Sequence, residues 1–159
     1  MNKIHREFHS ANNLTQFCTN EFPLNDEQHY DKNKFTSFAK ETIETFTTIT
    51  DQSSTIALDT YDLETMLKDS SNVLIGKATA DGKDRAIQVV KNAFKEDMKD
   101  CHKALLFIQS GSIEVTINEV GEMTDYLQSH FPESTTIMWG SGTNTLLGNN
   151  IKATIITSK

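Results

Sequence analysis

A few groups of residues in this sequence have the types and spacing from which chemistry is built. His5 and His9 lie four apart, so a helix would put both on one face with Cys18 nearby, a set that suits a metal ion. The plainer reading is a pair of surface histidines in a polar segment, and no metal is expected. Cys101 and His102 set a thiol beside an imidazole. Sequence neighbours at a helix end or strand start point apart, so a nucleophile–base dyad is not expected. Gly140-Ser-Gly-Thr-Asn-Thr-Leu-Leu-Gly148 invites a phosphate-binding reading. Such a loop needs a helix N-terminus behind it, and a strand pattern follows instead, so a strand-to-strand connection is expected. Asp59 and Asp62 form a carboxylate pair three residues apart. Asp59 is placed to cap the short helix that follows, with Asp62 in its first turn, where negative charge suits the helix dipole.

The elements that must hold these residues follow from hydrophobic period. Ala104 to Ile108, inside Lys103-Ala-Leu-Leu-Phe-Ile-Gln-Ser-Gly111, is an unbroken apolar run closed by Ser-Gly. It reads as a strand buried on both faces, which requires helices packed over it. Before it, Asn72 to Ala80 reads as a strand containing Gly76, where a bulge or close backbone contact is expected. Asp81-Gly-Lys-Asp84 then turns the chain into a helix with Ala86, Ile87, Val90, Ala93 and Phe94 inward. After the central strand, Thr116-Ile-Asn-Glu119 has the form of a capping box. Ile117, Val120, Met123, Thr124, Leu127 and Phe131 define the helix it opens, and Pro132 helps to end it. Thr135 to Trp139 and Ile151 to Thr157 supply two more strands.

Upstream, Phe35, Phe38, Ile43, Phe46 and Ile49 give one apolar face to a helix of several turns running from Lys34 to Thr50. Leu63, Met66 and Leu67 bury the inner face of the short helix after Asp59. The expected fold is α/β in two layers. A four-stranded mixed sheet, built in the order β-α-β-α-β-β, carries helices on one face, and a preceding long helix covers or flanks it. Residues 34–159 form this unit. Residues 1–33 are an arm with loop-like composition around Pro23, in which Ile4, Phe8, Leu14 and Phe17 recur at near-helical spacing.

Length and charge set outer bounds. At 159 residues the chain fits one domain with a short arm, and a net charge of −7 argues against nucleic acid or anionic membrane as the main partner. Two cysteines in unrelated contexts suit reduced thiols better than a disulfide framework. No run approaches the thickness of a bilayer, and the first residues lack the apolar core of a signal peptide. A soluble cytoplasmic protein with no cofactor is expected. No nucleophile–base pair, metal cluster or paired-acid constellation supports catalysis.

Taken in order, Ile56 to Thr157 resembles the C-terminal domain of FtsZ, the bacterial cell-division GTPase of the tubulin superfamily. Gly76-Lys-Ala-Thr-Ala-Asp-Gly-Lys-Asp-Arg-Ala86 echoes the family's strand–turn–helix signature. Leu105 to Gly111 resembles its central strand, and Ile117-Asn-Glu-Val120 is similar to the opening of its next helix. Ile137-Met-Trp-Gly140, Leu147-Gly148 and Ile151-Lys-Ala-Thr-Ile-Ile156 line up with the family without a gap. Lys34 to Thr50 looks like the lower part of the helix that joins the family's two domains.

What the resemblance implies is specific. The family's synergy loop, Asn-x-Asp-x-x-Asp, falls on Ala57, Asp59 and Asp62, with alanine replacing the amide. In the family this loop enters the neighbouring subunit's nucleotide pocket, where its carboxylates position water and cation for attack on the γ-phosphate. Phosphoryl transfer is governed by such orientation and charge placement. The family's nucleotide-binding domain, with its glycine-rich phosphate loop, has no counterpart in these residues. The chain is therefore expected neither to bind nor to hydrolyse GTP by itself. It is expected to bind, cap or modulate filaments of FtsZ or another tubulin-like subunit through the synergy-loop face. The alternative is a repurposed scaffold or interaction module, using the Ile4/Phe8/Leu14/Phe17 arm; Asn144 and Thr145, where the family tends to carry acids, favour such drift.

Overall fold

The computed structural model describes residues 44–50, 54–67, 70 and 72–159. Expectations placed on His5, His9, Cys18, the Ile4/Phe8/Leu14/Phe17 arm, Phe35, Phe38 and Ile43 lie outside the described residues. A helical segment, α1, covers 44–49. There follow β1 (Ser54–Ile56), α2 (Thr60–Leu67), β2 (Val73–Ala80), α3 (Arg85–Ala93) and β3 (Lys103–Ser110). The chain continues through α4 (Ile117–His130), β4 (Thr136–Thr143) and β5 (Ile151–Ser158), with 3₁₀ turns at Glu96–Met98 and Thr145–Leu147.

The strands form one mixed sheet in the order β1-β4-β3-β5-β2. β3 and β4 are parallel, as their helical connection through α4 requires, and the other neighbours are antiparallel. β3 lies in the middle, and Ala104 to Ser110 are all buried. The α/β class and the mixed sheet are those expected, with two differences. A fifth strand, β1, lies at the edge beside β4; three residues are too few to display a period. β4 also extends through Gly140, Ser141 and Gly142, because these glycines pair with Phe107 and Gln109 of β3 and do not break the ladder.

Alternating side chains of the sheet feed two clusters. Ala104, Leu106 and Ile108 of β3 join Ile151, Ala153 and Ile155 of β5 beneath Ala86, Val89, Val90 and Ala93 of α3 and Val120, Met123 and Leu127 of α4. Leu105, Phe107 and Ile156 point the other way, to Phe46 and Ile49 of α1, Leu58, and Leu63 and Met66 of α2. The sheet is thus covered on both faces, by α3 and α4 on one and by α1 and α2 on the other. Ile117, expected inward, is 73% exposed, since α4 meets the core only from Val120 onward.

Local signals explain the joints. A Cβ on Gly76 would lie 1.9 Å from the Ala93 carbonyl oxygen, which is the close backbone contact its place in a strand implies. Thr116 and Glu119 form a complete capping box at the start of α4. Glu119 is also held by buried Arg85, whose Nε donates to Oε1 at 2.6 Å and whose Nη2 donates to Oε2 at 3.1 Å. Arg85 donates further to the carbonyls of Ile113 and Glu114, so one guanidinium joins α3, the β3–α4 loop and α4.

Candidate interaction face

The turn between β1 and α2 is built by alternation. Ile56, Ala57 and Asp59 are exposed, while Leu58 between them is only 6% exposed and enters the cluster with Phe107 and Met66. Leu58 acts as a peg, and its socket is Gly140 of β4. A Cβ on Gly140 would lie 2.7 Å from Leu58 Cγ and 2.8 Å from the Ile56 carbonyl oxygen, both well inside van der Waals contact. Only a residue without a side chain lets β1 and the turn approach β4 this closely.

Asp59 and Asp62 then cap each other's backbone. The Asp62 N–H donates to Asp59 Oδ1 at 2.9 Å, and the Asp59 N–H donates to Asp62 Oδ2 at 2.9 Å. This is a reciprocal capping box with aspartate at the third helical position, so the helix-cap reading of both carboxylates is correct. Each carboxylate spends one oxygen in the box and keeps the other outside it. Asp59 is exposed and Asp62 is half-buried. At the far end of α2, Lys103 Nζ donates to the Thr65 carbonyl at 2.7 Å, which fixes the helix on the sheet.

The other candidates fall away as sites. Cys101 is fully buried and burial pushes its thiol up to about 11, so it is not a thiolate at neutral pH, while His102 beside it is exposed. The Gly140–Gly148 stretch is half strand and half 3₁₀ turn, leading directly into β5. Among the described residues no group of three or more His, Cys, Asp or Glu could hold a metal ion. No described helix is long and apolar enough to cross a membrane.

What the sequence does not announce is the apolar rim of the turn. Ile56 is 41% exposed and Tyr61, in the first turn of α2, is 71% exposed. Their periodicity is uninformative in so short a stretch, and only the burial of Leu58 shows which side faces out.

A mixed sheet between helical layers is the architecture found in the C-terminal domain of the FtsZ/tubulin superfamily. The chain belongs to the FtsZ family: residues 71–159 match the profile described as FtsZ family, C-terminal domain. It is 28% identical to the cell division protein FtsZ of Methanothermobacter thermautotrophicus over 106 residues, covering 64% of this chain and 28% of that protein. It is 30% identical to the cell division protein FtsZ of Mycoplasmopsis pulmonis over 123 residues, covering 74% of this chain and 31% of that one. The chain therefore spans under a third of these relatives. Among solved structures, an FtsZ dimer from M. jannaschii superposes with a TM-score of 0.66 at 18% identity, covering 84% of this chain and 41% of that one. TubZ of Bacillus thuringiensis serovar israelensis, solved as GDP-form protofilaments, gives 0.60 at 12% identity, covering 91% of this chain and 42% of that one. Likeness at these identities concerns the fold.

Proposed function

We propose that this chain is a non-enzymatic member of the FtsZ family that docks through its acidic turn on the nucleotide-binding end of an FtsZ-type subunit in the cytoplasm, and thereby modulates filament growth. The observation that carries the reading is the display of Ala57 and Asp59 on a turn locked from behind by Leu58 in the Gly140 socket. A preformed loop of this kind docks without first being ordered. Subunits propagate a filament only when each presents two complementary surfaces, so binding through the acidic turn with no second surface beside it would halt growth there. Ala57 supplies no side-chain amide to hold water or cation, which favours inhibition of hydrolysis over stimulation.

The test mixes the purified chain with full-length FtsZ from the same organism and GTP. At several-fold excess over FtsZ, pelleted polymer and phosphate release both fall. If neither changes, the reading is wrong. Substituting both aspartates by asparagine keeps acceptors for the capping box while removing the charges, and is expected to weaken the effect.

A further inference from the structure

The contact just proposed has a second chemical component beside its acids. Of the large apolar side chains exposed on the described surface, Ile56 and Tyr61 bracket the acidic turn, one on each side of the Leu58 peg. Neither is among the side chains that make up the two core clusters. Asp59 and Asp62, by contrast, are each bound to the backbone of the other and are partly committed to starting α2.

Resting on the docking reading above, we infer that Tyr61, supported by Ile56, is the anchor that holds the FtsZ-type subunit, and that the carboxylates chiefly steer the encounter. Contact energy at protein interfaces concentrates in a few desolvated side chains, with tyrosine among the most frequent. Exposed charges change mainly the association rate and its salt dependence. The occupant that fits is an apolar patch rimmed by lysine or arginine. Residues 54–67 carry three carboxylates and no cation of their own, Lys103 reaching α2 only near its far end, within a chain of net charge −7, so a positive complement fits. The Tyr61 ring suits such a rim because it presents an apolar body, a π-face for a cation and a hydroxyl that can stay wet.

The experiment measures binding of the intact chain to GTP-bound FtsZ polymer by co-sedimentation across a salt series, with thermal melts of every variant. Tyr61→Ser is expected to weaken binding about tenfold or more while melting with the wild type, and Tyr61→Phe to restore most of the loss. Ile56→Ser is expected to give a smaller loss. Asp59→Asn is expected to flatten the salt dependence and to cost less affinity than Tyr61→Ser. If wild type binds and Tyr61→Ser binds within about twofold of it, the anchor assignment is overturned while the docking reading stands. If wild type does not co-sediment at all, the docking reading fails and the anchor fails with it.

Discussion

Replacing Gly140 by alanine tests whether the acidic turn is held by its socket. The new Cβ would start 2.7 Å from Leu58 Cγ and 2.8 Å from both Leu58 Cδ1 and the Ile56 carbonyl oxygen. Carbon atoms at rest sit about 3.5–4.0 Å apart, so the seam must open by roughly 1 Å. Leu58 cannot simply swing aside, because it is buried among Phe107, Met66 and Leu63. The carbonyl belongs to the backbone of β1, which pairs with β4 at this point. Overpacking of this kind costs about 1–3 kcal/mol. Gly140 is not among the glycines with positive φ, so alanine suits its backbone and recovers about 0.4–1 kcal/mol by restricting the unfolded chain. The net expectation is about 1–2 kcal/mol of destabilisation, which for a chain of this size lowers Tm by roughly 2–8 °C. Thermal melts read that shift. Hydrogen exchange of the amides from Ile56 to Asp62 should accelerate well beyond the global change, because β1 and the turn are displaced first. A melt at or above the wild-type temperature, with unaltered exchange in the turn, would refute the socket.

Three further substitutions have outcomes that the packing sets. Gly121 lies inside α4 with nothing within 4 Å of a built Cβ, so Gly121→Ala should stabilise by about 0.5–1 kcal/mol in urea melts; a loss of stability would contradict the open space. Asp59→Ala should cost about 1 kcal/mol through lost capping while Asp59→Asn costs only a few tenths, and equal losses from the two would show that charge and not the cap matters. Arg85→Met should cost about 2–4 kcal/mol, since it strands the Glu119 carboxylate and two loop carbonyls in a largely buried place. The Arg85 hydrogen bond is the main cause holding the Glu119 carboxyl below the ordinary value of 4.5. The pair's stabilisation is therefore complete above that value and is lost as pH falls through the lower folded-state pKa. The gap in stability between wild type and Arg85→Met should narrow from neutral pH to about pH 3, and a constant gap would count against the pair.

How much of this was legible in the sequence depends on whether a feature is local. The β3 run was plain because both its faces are apolar, and the Thr116–Glu119 box was plain because its partners are three residues apart. Gly76 announced a close contact, though not that Ala93 makes it. The Asp59–Asp62 cap was legible for the same reason as the Thr116 box. The Leu58–Gly140 seam joins residues far apart in sequence, and its glycine sits in a run that reads as a loop, so nothing local revealed it. β1 is too short to carry a pattern, and without β1 the exposure of Ile56 and Tyr61 has no frame. The family resemblance supplied the place of the turn, and the packing supplied its facing.

The two clusters on opposite faces of the sheet make the functional reading separable from stability. Arg85 works on the α3–α4 side and Tyr61 on the α2 side, and β3 and β5 stand between them. Changes at sites without shared partners act nearly independently. Arg85→Met should then lower Tm and leave the docking of the folded fraction unaltered, while Tyr61→Ser should weaken docking at unchanged Tm. Gly140→Ala, at the seam that links the sheet to the turn, should do both. If docking instead falls in proportion to Tm across all three variants, the acidic turn has no role beyond belonging to a folded domain. Losses that follow position on the sheet, whatever the Tm, are the result the docking face requires.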